Sequence, residues 1–250
     1  IVKFILNDIK KDLIDLKVFH DCFRSEKKIA SNFKIEKLIQ KLLAKDLAFY
    51  GYQEKPKGVN DENWKSEKQL LFNSKRFGDD ADRALLKPNG EITYFMTDIL
   101  YHLDKIDRKF DTLVNIWGAD HFGYVKRLKG AINNLSKKNF SFEIKLTSLV
   151  NLIKNKQKIK MSKRSGNYIT MREVLTEVGI DNLRFMMISR NADKSIDFDF
   201  ESVIKKNKDN PVFYVQYAHA RCMSILNSYN FRLEDFSNNL NELNNLNLDE

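Results

Sequence analysis

Cysteine is scarce in this chain. Cys22 and Cys222 are its only two. They stand near opposite ends, with neither a disulfide framework nor a metal-ligand spacing, which points to a reduced intracellular protein. Long apolar runs are absent too. No uninterrupted stretch approaches the ~20 residues a membrane-spanning helix needs. The apolar start, Ile1 to Leu6, is too short for a signal sequence and runs straight into charge. A cytoplasmic protein without a membrane partner is expected. There is no internal repeat and no starting Met. The Leu240, Leu243, Leu246 and Leu248 pattern looks like an amphipathic helix cut off before it packs, so the chain reads as a piece of a longer protein.

What is present is ordinary in hydrophobicity and rich in charge. The 250 residues suffice for one large domain or a domain and a half. Hydrophobic residues make up 42%, charged residues 31%, and the formal net charge is +9. That balance favours an anionic partner, nucleic acid or a phosphate-rich ligand. A generally lysine-rich surface is the plainer alternative.

Ile5, Ile9, Leu13 and Leu16 repeat at helical intervals and predict a helix over 1–18. A second helix is expected from Ile35 to Ala48, then a connecting loop over 50–68. Leu85-Leu86, the turn Lys87-Pro88-Asn89-Gly90, and Ile92 to Phe95 read as strand, turn, strand. Thr97 or Asp98 is the expected cap of a helix reaching Arg108. Leu113 to Trp117 suits a strand buried on both faces. Gly118 ends it, a helix follows from His121 to Leu135, and Phe142 to Ile153 is strand-like. Strands alternating with helices imply an α/β fold with a parallel sheet. After Asp193 only helix is expected. Asn210-Pro211 is a good helix start, and Tyr214, Tyr217, Ala218, Arg221 and Ile225 continue an amphipathic pattern. A domain boundary is placed near residue 208.

Four segments carry chemistry. Lys160-Met161-Ser162-Lys163-Arg164-Ser165-Gly166-Asn167 lies in a stretch with no carboxylate between Glu143 and Glu173. Lysines on a loop of small residues can neutralise charge on a leaving pyrophosphate. Trp117-Gly118-Ala119-Asp120-His121 sits where an open α/β sheet binds ligands, at a strand end leading into a helix. Tyr94 and Asp98, four apart, suit a guanidinium: a carboxylate forms two parallel hydrogen bonds with it and an aromatic ring stacks on its plane. A core tyrosine with a capping aspartate is the competing reading. Asp209 to Arg221 is a helix with aromatics as core and His219 as a satisfied polar residue.

As an ordered set these strings resemble the arginyl-tRNA synthetases of bacterial type, a class I family. The first is similar to the KMSKS motif, with Arg164 in place of its final Ser. The resemblance implies that Lys160 and Lys163 are catalytic, and that with Met161 and Ser162 they contact ATP. Gly118, Asp120 and His121 would line the adenylate pocket. Tyr94, Asp98 and His121 would bind the arginine substrate; Leu100 stands where many relatives have Ala. Arg164, Tyr217 and Arg221 are candidates for tRNA contact. Phe77 to Arg83, Asp181 to Met186 and Asp197-Phe198-Asp199 match further family strings.

The implied fold is the C-terminal half of a Rossmann-like catalytic domain over 1–208, then the start of an all-α anticodon-binding domain over 209–250. The implied reaction ligates L-arginine to tRNA(Arg) through arginyl-adenylate. ATP and Mg2+ take part, the metal is held without a protein cage, and a monomer is expected. The family's His-x-Gly-His motif is missing: His20, His102, His121 and His219 form no such arrangement. The 250 residues alone are therefore expected to be inactive. A noncatalytic RNA-binding relative is the alternative, against which Lys160 and Lys163 argue.

Overall fold

A computed structural model describes residues 1–54, 66–136, 140–159, 161, 166 and 168–228. Their contacts gather into two compact units. One holds residues 20–149 with 192–194; the other holds 1–19, 150–191 and the described residues from 195 onward.

The first helix forms as its spacing predicts: α1, Val2–Asp15. Its last turn is tied to residues far along the chain. Asp12 and Asp15 lie 2.5 and 2.6 Å from the Arg172 guanidinium, and the Leu16 carbonyl accepts from Arg184 at 2.7 Å.

In the unit spanning 20–149, a short α2 (Glu26–Ile29) leads into α3 (Asn32–Leu43). Helix α3 stops well before Ala48. Asp46 takes a positive φ of 54°, the Leu47 amide turns back to the Leu42 carbonyl, and Leu47 and Ala48 enter the core. β1 (Ala48–Tyr52) takes the end of the expected helix and the start of the expected loop, antiparallel to β2 (Lys68–Phe72), with Phe49 opposite Leu71. β3 (Arg83–Ala84) completes that sheet.

Leu86 bridges to Ile92 across a turn in which Gly90 takes φ 83°, a conformation that glycine adopts freely. The strand expected over 92–95 ends there. The Thr93 hydroxyl accepts from the Met96 amide and starts α4 (Tyr94–Asp107). Thr93 is thus the cap, and neither Thr97 nor Asp98 fills that position.

Strand β4 (Thr112–Gly118) pairs in parallel with β5 (Ser141–Thr147). Leu113 and Asn115 are buried, while Val114 and Ile116 are exposed, so the strand alternates and is not buried on both faces. A 3₁₀ turn, Ala119–Tyr124, and α5 (Val125–Leu135) carry the crossover. Met96 and Ile99 of α4 meet Leu128 and Ile132 of α5 in one core with Phe72 and Leu85, all fully buried. Each such side chain contributes about 1.5–3 kcal/mol by leaving water.

The second unit opens with β6 (Val150–Lys154), separated from β5 where one long strand was expected. The break falls at Ser148, whose amide and hydroxyl bond the carbonyls of Ala192 and Asp193. Asn155 and Lys156, both at positive φ, turn the chain into β7 (Gln157–Lys158). Thr170 and Glu173 close a reciprocal capping box on α6 (Met171–Val178), followed by α7 (Ile180–Ile188).

The expectation of helix alone after Asp193 fails. Ile196 and Phe198 are buried while Asp197 points out, a period of two that makes β8 (Ile196–Asp199), parallel to β6. Short α8 (Phe200–Val203) and α9 (Pro211–Ser228) follow. Asn210 caps α9 as its sequence predicts, accepting from the Val212 amide at 3.1 Å. Val174, Val178, Phe198 and Phe200 centre this unit's core. Tyr214, Tyr217 and Ile225 of α9 are exposed.

Candidate functional site

The first turns of α4 place Tyr94, Thr97, Asp98 and Tyr101 along one cavity of about 330 Å³, closed on its other side by Arg24, Glu26 and Ile29. Tyr94 stands at the rim, 83% exposed. Asp98 is half-buried. Burial pushes its carboxyl above the usual range; Tyr124 and Lys105 pull it partly back, and the Glu26 charge adds to the rise. Arg24 is held by Asp104 through two bonds of 2.9 and 2.8 Å, so its charge is already paired. The cavity therefore offers two carboxylates and two tyrosines, a set that suits a planar cation. Glu26 was not singled out from the sequence. A glutamate in the first turn of a helix is common for helix-dipole reasons, and nothing local marks it as more.

Polar groups back this wall from inside. His102 is 2% exposed. Its Nδ1 lies 2.7 Å from the Asp98 carbonyl and its Nε2 lies 2.6 Å from the Asn115 amide nitrogen. Those partners require a proton on Nδ1 and a lone pair on Nε2. Burial lowers the His102 pKa to about 4, in keeping with a neutral ring. Asn115 in turn accepts from Lys105 at 2.8 Å. The backbone of the Asp98 turn is thus fixed from β4 by a closed chain of hydrogen bonds.

At the end of β4, a Cβ on Gly118 would come 2.5 Å from Asp120 Oδ1, so the glycine leaves room for that carboxylate to fold back. Asp120 and His121 are exposed and 3.7 Å apart. The His121 ring lies 5.9 Å from Trp117 and 6.5 Å from Tyr124. Tyr124 also packs on Phe95 of α4, with ring centroids 5.6 Å apart. The two segments chosen from sequence, Tyr94/Asp98 and Gly118/Asp120/His121, therefore converge within one unit.

Other predicted residues do not join them. Lys160, Ser162, Lys163 and Arg164 lie outside the described residues. Met161 is exposed and Gly166 has φ 69°. Tyr217 and Arg221 sit on α9, exposed, in the other unit. The basic stretch is also less bare than its local sequence suggests. Lys145 pairs with Glu143 at 2.9 Å and Lys154 with Glu177 at 2.8 Å, and Arg172 meets Asp12 and Asp15. Among the described residues, no group of three or more His, Cys, Asp or Glu side chains could hold a metal ion. No described helix is long and apolar enough to cross a membrane.

Residues 118–224 match the family model described as tRNA synthetases class I (K). An arginine–tRNA ligase of Wolbachia pipientis wMel is 51% identical over 222 residues, 89% of this chain and 39% of the relative. One from Ehrlichia chaffeensis is 48% identical over 225 residues, 90% and 39%. The crystal structure of a Campylobacter jejuni protein assigned as an arginyl-tRNA synthetase superposes with a TM-score of 0.75 at 30% identity, covering 93% of this chain and 47% of that one. The chain spans about two fifths of the length of the curated relatives it matches.

Proposed function

Because the chain belongs to the arginyl-tRNA synthetases of class I, we propose that it contributes the amino-acid pocket and part of the ATP site to a longer arginine–tRNA ligase. The observation that carries this reading is the cavity where Asp98 and Glu26 face Tyr94 and Tyr101. A guanidinium is the arginine head group, and paired carboxylates with stacking rings are its natural complement.

In this reading Asp98 and Glu26 bind the substrate's cation and Tyr94 closes over it. Gly118, Asp120 and His121 line the position of the adenylate. Lys160 and Lys163, with Met161 and Ser162, contact the ATP phosphates and stabilise charge on the departing pyrophosphate. The arginine carboxylate attacks the α-phosphate, giving arginyl-adenylate and pyrophosphate, and the terminal ribose of tRNA(Arg) then takes the arginyl group. Magnesium would accompany ATP, bridging its phosphates. Residues 1–208 carry the catalytic fold in this scheme. Helix α9 opens the anticodon-binding helices, with Arg164, Tyr217 and Arg221 toward tRNA. The enzyme works as a monomer in the cytoplasm.

The test is arginine-dependent ATP–pyrophosphate exchange by the full-length enzyme. Asp98→Ala should raise KM for arginine by about two orders of magnitude, the scale of a lost charge-assisted pair, with KM for ATP little moved. An unchanged arginine KM would remove the pocket assignment. Lys163→Ala should lower kcat, leaving KM for arginine close to normal.

A further inference from the structure

We propose that Tyr124 is a positioning residue for Asp98, its hydroxyl donating to the carboxylate while the carboxylate holds the substrate guanidinium. This rests on the substrate reading above. Phe95 and Asp98 lie three residues apart on one face of α4. The Tyr124 ring meets Phe95 edge to face, centroids 5.6 Å apart at 82°. That contact brings the phenol alongside Asp98, within electrostatic reach of its carboxylate.

The ring is held on several sides. Trp117 packs at 5.8 Å and 75°, and the Arg127 guanidinium carbon lies 4.9 Å from the ring centroid. Arg127 is itself anchored, its Nε 2.8 Å from the Asp79 carboxylate, which Arg83 grips at 3.0 and 3.1 Å. Burial pushes the Asp79 carboxyl up, but the bonds from Arg83 and Asp80 and the Arg127 charge outweigh it and leave it below its usual range. Residues 79 and 83, a family string without an assigned role, thus form the outer end of a chain that runs Arg83, Asp79, Arg127, Tyr124, Asp98.

The Tyr124 hydroxyl oxygen is buried and meets no partner of good hydrogen-bond geometry among the described residues. Burial, with the neighbouring Asp98 charge, holds the phenol above its ordinary pKa, so it stays a neutral donor at physiological pH. A carboxylate has about four lone-pair directions and a bidentate guanidinium takes two, which leaves room for this donor. A slight turn of Asp98 toward the fixed phenol completes the bond. The donor also opposes burial in setting the Asp98 charge.

The experiment compares Tyr124→Phe, Asp98→Asn and the unaltered full-length enzyme in pyrophosphate exchange across neutral and mildly acidic pH. Tyr124→Phe should raise KM for arginine roughly tenfold, the scale of a hydrogen bond to a charged group, with a smaller loss in kcat and no change in KM for ATP. The acid limb of kcat/KM for arginine should move to higher pH, because losing the donor raises the Asp98 pKa. If Asp98→Asn weakens arginine but Tyr124→Phe moves neither arginine KM nor the acid limb, the positioning role fails and the pocket stands. Equal rises in both KM values with an unmoved limb mean packing alone and also overturn it. If Asp98→Asn leaves arginine binding intact, the pocket itself is wrong and this inference falls with it.

Discussion

Two strands of this molecule end in the same way and leave their aspartates in different surroundings. β4 and β8 each belong to a parallel pair, and each reaches an aspartate at or just past its C-terminal end. After β8, Asp199 turns inward on its own chain. Its carboxylate accepts from the Glu201 and Ser202 amides at 3.0 and 3.4 Å and from the Ser202 hydroxyl at 2.7 Å. Those bonds, led by Ser202, hold its carboxyl below the usual range. After β4, the chain enters a 3₁₀ turn, and Asp120 caps nothing. It stays exposed beside His121, over a glycine that gives it room. A carboxylate at a strand end is available to a ligand when the helix behind it does not need it.

The pairs also differ underneath. β4 buries Asn115 against His102, whereas β8 puts Ile196 and Phe198 into an apolar core with Val174 and Val178. The largest expected effect sharpens this difference. His102 titrates near 6.5 when unfolded and at about 4 when folded. Between those values the unfolded chain binds more protons, so the stability from the neutral ring is complete above about pH 6.5 and falls as pH drops toward 4. The amount is on the order of 3 kcal/mol. Urea unfolding at a series of pH values should show that slope, and His102→Gln should flatten it. An unchanged slope would place the acid sensitivity elsewhere.

Truncating each aspartate in turn tests the comparison itself. Asp120→Ala in the full-length enzyme should lower kcat/KM for exchange about fiftyfold, by loss of hydrogen bonds to a charged group, while leaving the unfolding midpoint in place. Asp199→Ala should do the reverse: a loss of about 1 kcal/mol in stability, the usual size of a helix cap, with exchange kinetics intact. If Asp120→Ala destabilised the protein and Asp199→Ala impaired catalysis, the contrast between the strand ends would be inverted.

The local structure around much of the candidate site was legible because its signals are local. Gly118-Ala119-Asp120-His121 follows a strand in sequence and in structure. Asn210-Pro211 predicts the start of α9 and starts it. Errors arose where distant partners decide. The second half of β1 reads as loop because Tyr50 and Tyr52 are exposed and only pairing with β2 makes them a strand. Ile92 to Phe95 reads as a strand until the Thr93 hydroxyl captures the Met96 amide. Lys154 looks unopposed until Glu177, far along the chain, is seen beside it in space. Glu26 was invisible as a site residue because its relation to Asp98 spans most of one unit.

The Thr93 cap has a consequence for how this pocket can change. Because the helix is started by a threonine outside the cavity, Asp98 hangs from α4 without holding α4 together. The acid can be exchanged for another side chain and the scaffold keeps its shape. A pocket mounted this way can acquire a new preference for its cargo through one replacement at the wall, with the helix as an unchanged bracket.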